Sequence, residues 1–188
     1  LPVSCEILSD FITPIEAMRI LQNVSTHCYL LESAQANEAW GRYTFLGYDP
    51  KLEINCIDGH MKLGKLSVET ENPSEYIRQI LSEYKSPKFD YLPSFTGGLV
   101  GYFSYDYLGY KEKSIRGKAR DTEDFKDVDL MLFDKVIAFD NLCQKIILIA
   151  NMSLDAPETG YNKAIVELKQ LRELLMHGEK KQNMGGKL

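Results

Sequence analysis

The hydrophobic pattern of the chain predicts three helices, each preceded by a helix-start signal. Thr13-Pro14-Ile15-Glu16 combines a capping hydroxyl, a proline in the first turn and a glutamate three residues after the cap. Asn72-Pro73-Ser74-Glu75 repeats this arrangement, and Asp155-Ala156-Pro157-Glu158 opens the longest periodic stretch. In that stretch apolar residues recur at spacings of three and four, at Ala164, Ile165, Leu168, Leu171, Leu174 and Leu175.

Elsewhere the period changes to two or to short apolar runs, which is typical of β-strands. Strands are predicted over residues 28–31, 43–47, 52–57, 61–63, 98–104, 130–139 and 145–150. Asp58-Gly59 is a hairpin turn signal because both residues tolerate a positive φ, and Asp140-Asn141 is a weaker one. Strands outnumber helices and do not alternate regularly with them, so the pattern predicts an α+β fold with largely antiparallel sheets.

Two segments are predicted to be irregular. Residues 109–127 are rich in charge and poor in apolar side chains, which predicts a long surface loop. Residues 178–188 read GEKKQNMGGKL and are predicted to form a linker. The organisation expected is one domain over residues 1–177, followed by a linker at 178–188 through which the natural chain continues.

Composition narrows the class of protein. The formal charge is -5 and Lys and Arg form no long run, which argues against nucleic acid or an anionic membrane as the main partner. The cysteines and histidines are scattered, without the close spacing of a zinc site. We therefore expect mostly buried thiols in a reducing compartment, and the short apolar runs and unremarkable first residues predict a soluble, cytoplasmic protein.

Motifs that carry chemistry are nearly absent. No phosphate-binding loop of the Walker or dinucleotide type occurs, and no Ser, Cys, His and Asp combination marks a nucleophile. Gly97–Gly101 is glycine-dense but lacks the lysine and helix of a phosphate site, so a strand in close backbone contact is favoured. The tyrosines that follow, at 102, 105, 107 and 110, are expected to pack against a sheet neighbour or a partner domain.

One chemically unusual feature is the end of the apolar strand at residues 28–31, which runs directly into Glu32 and Ser33. A carboxylate and a hydroxyl could bind the ammonium and carboxylate groups of an amino acid, and Arg42 could add positive charge to the same place. The simpler interpretation is a strand-end turn whose side chains hydrogen-bond to their own backbone.

Several linked motifs resemble the large subunit (component I) of the anthranilate synthase family. They follow the family order from about residue 2 to about residue 176, and are Thr13-Pro14, Leu30–Ser33, Trp40–Gly47, Phe95–Asp106 and Asp129–Asp134. The resemblance implies the N-terminal, regulatory half of that subunit, with two largely antiparallel β-sheets packed as a sandwich and a few peripheral helices.

The resemblance also implies a function for the complete protein. Such a protein is a lyase of tryptophan biosynthesis that converts chorismate and an amine source to anthranilate and pyruvate. A glutaminase subunit supplies the ammonia, the protein's own C-terminal domain binds chorismate, and Mg²⁺ is held by that C-terminal domain. The present segment is expected to contain no cofactor and no catalytic residue, and to be inactive alone.

The same resemblance implies an allosteric L-tryptophan site. Ser33 is the strongest candidate contact, followed by Glu32, with Leu31 holding the indole ring and Arg42 nearby. Two alternatives remain open from the sequence. One is the N-terminal half of aminodeoxychorismate synthase on the folate route, and the other is a non-catalytic module that binds an amino acid or docks other chains.

Overall fold

The computed structural model describes residues 1–32, 41–112, 114 and 125–181. The strands in these residues are β1 (Pro2–Leu8), β2 (Cys28–Leu31), β3 (Tyr43–Tyr48), β4 (Leu52–Ile57), β5 (His60–Leu63), β6 (Leu66–Glu69), β7 (Gly98–Phe103), β8 (Val128–Phe133), β9 (Lys135–Asp140) and β10 (Lys145–Asn151). The helices are α1 (Pro14–Val24), α2 (Pro73–Glu83) and α3 (Pro157–His177), with a 3-10 helix at Tyr105–Tyr110.

The chain divides into two compact units, each built on one five-stranded sheet. The first unit contains sheet A, in the strand order β1-β10-β9-β3-β2, and the second contains sheet B, in the order β6-β5-β4-β8-β7. Every neighbouring pair in both sheets is antiparallel. The predicted α+β class with antiparallel sheets is confirmed, whereas a sandwich packing of the sheets and a single domain over 1–177 stay predictions.

Sheet A is buried on both faces at its centre. Helices α1 and α3 cover one face, where Ile137, Phe139, Ile146 and Leu148 meet Leu168 and Leu171. On the other face, a segment containing Phe89, Leu92 and Phe95 covers Val136, Ala138, Ile147 and Ile149. Double burial explains why β9 and β10 are continuous apolar runs instead of alternating strands.

Sheet B has a smaller core of its own. Helix α2 contributes Ile77 and Ile80, which pack on buried Ile54, Cys56, Met61, Val128 and Leu130. Tyr107 and Tyr110 of the 3-10 helix pack against the same cluster. The predicted turn at Asp58-Gly59 is confirmed, since both residues have positive φ, at 48° and 83°.

The three helix starts are confirmed, but only the first has the predicted cap. Thr13 and Glu16 form a full capping box, in which each side chain bonds to the other residue's backbone N–H. The Asn72 side chain bonds instead to the Glu75 and Ser74 side chains, so it does not cap α2. Helix α3 has Ala156 at its N-cap position and no side-chain cap, and the Asp155 carboxylate accepts a hydrogen bond from the Ser153 hydroxyl.

The prediction of one strand over 130–139 is wrong. The chain bends at Asp134, and β8 and β9 on either side belong to different sheets. The carbonyl oxygen of Asp134 accepts hydrogen bonds from the backbone and side chain of Asn151. These tertiary hydrogen bonds stabilise the bend. The hydrophobic pattern does not indicate it, because apolar residues lie on both sides of it.

Two edge strands, β1 and β6, were not predicted. Most of the predicted loop at 109–127 lies outside the described residues, although Gly109 and Tyr110 belong to the 3-10 helix. In the predicted linker, the backbone of Lys181 bonds to the Arg19 carbonyl of α1, and residues 182–188 lie outside the described part.

The four cysteines form no disulfide, as expected. The expectation of mostly buried thiols is wrong, because only Cys56 is buried, Cys5 and Cys28 are half-buried and Cys143 is exposed. No helix in the described ranges is both long and apolar enough to cross a membrane.

Candidate functional site

The sequence-predicted site falls at one end of sheet A. Strands β2 and β3 are antiparallel, with Leu31 directly opposite Phe45, so the last residues of β2 lie beside the first residues of β3. Tyr43 at the start of β3 pairs in turn with Asp140 at the end of β9. We call this end of the sheet, with Leu31, Glu32, Arg42, Tyr43 and Phe45, the sheet-end site.

Arg42 is held by a buried carboxylate that the sequence interpretation missed. Its Nε donates to Asp140 Oδ1 at 3.0 Å and its Nη2 donates to Oδ2 at 2.7 Å, a two-point contact. The Asp140 side chain is fully buried. Its Oδ1 also accepts from the backbone N–H groups of Leu142 and Cys143. An acidic residue at the end of the apolar strand β9 was the signal that could have identified Asp140.

The Arg42–Asp140 pair alters the electrostatics that the sequence suggested. The hydrogen bonds from Arg42 lower the pKa of Asp140 to about 2, despite the opposing effect of burial. The same contact raises the pKa of Arg42. Both groups therefore stay charged, and their charges cancel locally, so Arg42 attracts a ligand carboxylate less than an isolated arginine would.

Aromatic rings flank Leu31 on one face of sheet A. Residues directly opposite in an antiparallel pair point to the same face, which places the Leu31 side chain beside Phe45. Phe45 contacts Tyr43 and Phe95, with ring centroids 5.8 Å and 5.6 Å away. Leu31 itself is 45% exposed. A partly exposed apolar surface of this kind can hold a flat aromatic ligand.

Gly47 gives the neighbouring Tyr29 its position. Tyr29 lies opposite Gly47 in the β2–β3 pair, and its ring packs at the edge of Phe95, 6.3 Å between centroids. A Cβ on residue 47 would lie 2.2 Å from Tyr29 Cε1. The missing side chain of Gly47 therefore makes room for the Tyr29 ring, and burial of that ring raises the pKa of its phenol.

The structure brings some of the predicted site residues together and leaves others undefined. Leu31, Glu32 and Arg42 all lie at the sheet-end site, Leu31 and Glu32 with exposed side chains. Ser33 lies outside the described residues. The sequence interpretation missed Tyr43 and Phe45, although the alternation of Tyr43-Thr44-Phe45 on a strand was the signal for two rings on one face.

Metal and phosphate chemistry find no support in the described residues. No group of three or more His, Cys, Asp and Glu side chains there could hold a metal ion. Most of the glycine-dense segment belongs to strand β7, as favoured from the sequence. A Cβ on Gly101 would lie 2.0 Å from the carbonyl oxygen of Asp129, which belongs to the neighbouring strand β8. The glycine serves this close backbone approach.

Comparison with solved structures defines the class of fold. The chain matches the crystal structure of anthranilate synthase component I from Streptococcus pneumoniae TIGR4 with a TM-score of 0.56 and 26% identity. The match covers 88% of this chain and 36% of that chain. The described part thus has the two-sheet α+β fold of one portion of a larger protein.

Comparison with curated proteins then gives the family. Anthranilate synthase component 1 of Pseudomonas aeruginosa is 36% identical over 183 residues, and that of Acetivibrio thermocellus is 32% identical over 181 residues. Each match covers 93% of this chain and 36% of the relative. Anthranilate synthase alpha subunit 2, chloroplastic, from Oryza sativa subsp. japonica is 34% identical over 81% of this chain and 28% of its own length.

The chain is therefore a member of the anthranilate synthase component 1 family and corresponds to the N-terminal region of such a protein. It spans about a third of the length of the curated relatives it matches. No model of a known protein family matches the chain. The comparisons do not favour the two alternatives that the sequence left open.

Proposed function

We propose that this chain is the tryptophan-sensing part of an anthranilate synthase component 1. The complete enzyme would convert chorismate and ammonia to anthranilate and pyruvate, the entry to tryptophan biosynthesis. A second, glutaminase subunit would supply the ammonia from glutamine. The observation that carries the proposal is the homology to component 1 over 93% of the chain.

The sheet-end site supports the sensing role on chemical grounds. Tryptophan presents a flat apolar indole together with an ammonium and a carboxylate group. Leu31, Tyr43 and Phe45 offer a partly exposed apolar and aromatic surface. Glu32 is an exposed carboxylate next to it, suited to an ammonium group.

Arg42 would act in this site while keeping its contact with Asp140. Three of its features fix its position: the two-point hydrogen bond to Asp140, a contact to Cys143 Sγ at 3.5 Å, and stacking over the Tyr43 ring at 4.9 Å. We infer that Arg42 orders the start of β3 and the Tyr43 ring, and that Ser33 supplies the hydrogen bond to the ligand head group.

Inhibition requires that tryptophan bind one state of the complete enzyme more tightly than another. The catalytic groups and Mg²⁺ would lie in the remainder of the protein, as the resemblance to the family implies. The role assigned to this chain is therefore to bind the inhibitor.

The experiment that tests the proposed function uses the purified full-length protein. We expect anthranilate, identified by fluorescence and mass, from chorismate and ammonia, and we expect tryptophan to inhibit its formation. Formation of aminodeoxychorismate instead would contradict the proposed reaction.

A substitution tests the site in the same enzyme. We expect Ser33→Leu to raise the half-inhibitory tryptophan concentration at least about 100-fold, since a leucine removes the hydroxyl and is larger than serine. The turnover number should change by less than about twofold. Ser67→Leu, at an exposed serine of β6, is the matched control and should leave inhibition intact. Normal inhibition in Ser33→Leu would show that tryptophan binds elsewhere.

A further inference from the structure

The chain does not leave helix α3 freely. The four residues that follow the helix, Gly178–Lys181, lie against helix α1. The Asn23 side chain of α1 donates a hydrogen bond to the Glu179 carbonyl oxygen at 2.6 Å. The Lys181 N–H donates to the Arg19 carbonyl oxygen at 3.1 Å. We call residues 178–181 the exit strap, because they tie the end of α3 to α1.

The first residue of the exit strap fits only as a glycine. The Gly178 N–H bonds to the Leu174 carbonyl oxygen in the last turn of α3. A Cβ on Gly178 would lie 2.4 Å from that oxygen and 2.5 Å from Ile20 Cγ2 of α1. Both distances are far shorter than a van der Waals contact, so the missing side chain lets the strap begin in direct contact with α1.

One carboxylate joins the exit strap to the start of α1. Glu16 Oε2 accepts from the Thr13 N–H at 3.1 Å and from the Thr13 hydroxyl at 3.2 Å, as part of the capping box. Its other oxygen, Oε1, accepts from the ammonium group of Lys180. The Lys180 and Glu16 side chains are 51% and 35% exposed. Exposed ion pairs contribute little to stability, so the strap can leave α1 and return at a small cost in free energy.

Helix α1 is in turn fixed to strand β2. Only three residues connect the two elements, and the Ser25 hydroxyl braces this turn. It donates to the His27 carbonyl oxygen at 2.8 Å and accepts from the Asp49 N–H at 2.9 Å. Ile20 of α1 belongs to the buried core cluster against which Leu30 of β2 packs. Because packed interiors transmit displacements, we expect a movement of α1 to move β2 with it.

Strand β2 leads directly into the sheet-end site. Its last residue is Leu31, and Glu32 follows. A continuous series of packed elements therefore runs from the sheet-end site through β2 and α1 to the exit strap. All of these elements belong to the same compact unit of the chain. The strap is the point at which this unit continues into the residues after position 181.

We propose that the exit strap couples tryptophan binding at the sheet-end site to the remainder of a full-length component 1. Bound tryptophan shifts the strap towards the state that is docked on α1, and release of the strap accompanies loss of tryptophan. The proposal rests on the proposed function, because it takes the complete protein to be a tryptophan-inhibited enzyme. Coupling between two sites needs an element with two states that both sites bias, and a weakly held strap is such an element.

A strap variant of the full-length protein separates binding from inhibition. Asn23→Ala combined with Lys180→Ala removes both side-chain hydrogen bonds between the exit strap and α1. We expect isothermal titration calorimetry to give a tryptophan dissociation constant within about threefold of the wild-type value. At saturating tryptophan, the residual rate of anthranilate formation should rise from below about 10% to above about 50% of the uninhibited rate.

A second double variant is the matched control. Lys163→Ala combined with Gln79→Ala removes two exposed side chains whose contacts lie within a single helix. This control should bind tryptophan and be inhibited as the wild type is. Full inhibition of the strap variant would overturn the proposal. Loss of tryptophan binding in the strap variant would also overturn it, since the strap would then stabilise the site instead of coupling it.

Hydrogen exchange follows the exit strap in the wild-type full-length enzyme, so the result does not depend on the folding of a variant. The Lys181 N–H, which bonds to the Arg19 carbonyl oxygen, reports the docked state. Saturating tryptophan should slow its exchange at least about threefold. The Thr70 N–H, which bonds to the Gly59 carbonyl oxygen, is the reference and should not change. Equal exchange of the Lys181 N–H with and without tryptophan would overturn the proposal.

The same assays distinguish the exit strap from the proposed function. A wild-type enzyme that forms no anthranilate, or forms it without inhibition by tryptophan, would refute the proposed function and the strap with it. Inhibition of the wild type together with unchanged inhibition of the strap variant would refute the strap alone and keep the function.

Discussion

At the scale of single residues, Asp140 holds together one end of sheet A. Its buried carboxylate binds the Arg42 guanidinium and two backbone N–H groups of the turn that joins β9 to β10. A buried charge is tolerated only when it is paired and hydrogen-bonded, and Asp140 meets both conditions. The pair therefore connects the start of β3 to that turn.

The lowered pKa of Asp140 makes this contact pH-dependent. Because the folded pKa of about 2 lies below the usual value of 3.8, the carboxylate stabilises the fold above about pH 4 and loses this effect as the pH falls towards 2. We expect a contribution of about 1–2 kcal/mol, reduced from the full value because the Arg42 side chain is 35% exposed.

Urea unfolding between about pH 5 and pH 2 measures this contribution. The stability difference between the wild type and Asp140→Asn should shrink by about 1–2 kcal/mol over that range. Asp49→Asn is the control, since Asp49 pairs with Lys135 at an exposed position and should change the pH dependence by less than about 0.5 kcal/mol. A constant gap for Asp140→Asn would mean that the carboxylate titrates normally.

At the scale of elements, the pairing of β7 with β8 depends on a glycine. Gly101 has a φ of 152° and lies opposite Leu130, with the Asp129 carbonyl oxygen in the space where a Cβ would be. A side chain at this position would clash with the rigid backbone of β8. It would also force a non-glycine residue to adopt an unfavourable positive φ. The strand can therefore approach β8 closely only with glycine at position 101.

We expect Gly101→Ala to lower the free energy of unfolding by about 2–4 kcal/mol, because the added methyl must push β7 away from β8. Chemical denaturation gives the total effect, and hydrogen exchange should show it concentrated in β7 and β8. Ser67→Ala, at an exposed position of β6, should cost less than about 0.5 kcal/mol. A loss equally small for Gly101→Ala would contradict the close approach.

At the scale of the whole molecule, the chain is much shorter than the relatives that it matches. It spans about 36% of the Pseudomonas aeruginosa relative. Ligand pockets usually enclose most of a small ligand, and the sheet-end site as described is an open surface with Leu31 exposed. If tryptophan binds there as proposed, the described residues of this chain would enclose only part of it.

We therefore expect this chain alone to bind tryptophan at least about 100-fold more weakly than the full-length enzyme, a loss of about 3 kcal/mol. Isothermal titration calorimetry of the two proteins under the same conditions measures both dissociation constants. Equal affinities would instead indicate that residues 1–188 form a complete sensor by themselves.

The candidate site could be predicted only in part from the sequence. Leu31 and Glu32 were proposed as site residues from a local signal, a carboxylate that directly follows an apolar strand, and their role in binding stays a prediction. Asp140 was missed because its partner Arg42 is 98 residues away, and no local pattern relates the two. Tyr43 and Phe45 were predicted only as strand residues and not as part of the site. The strand register, which the sequence does not reveal, places Phe45 opposite Leu31.

The sequence by itself determined the elements whose signals are local. The proline-containing helix starts and the apolar stripes predicted all three helices, and Asp58-Gly59 predicted its hairpin, because turn and helix geometry depends on neighbouring residues. The tertiary structure alone decided the break at Asp134, the order of the strands within the two sheets and the pairing of Arg42 with Asp140. These features depend on hydrogen bonds and packing between residues far apart in the chain, which the order of nearby side chains does not encode.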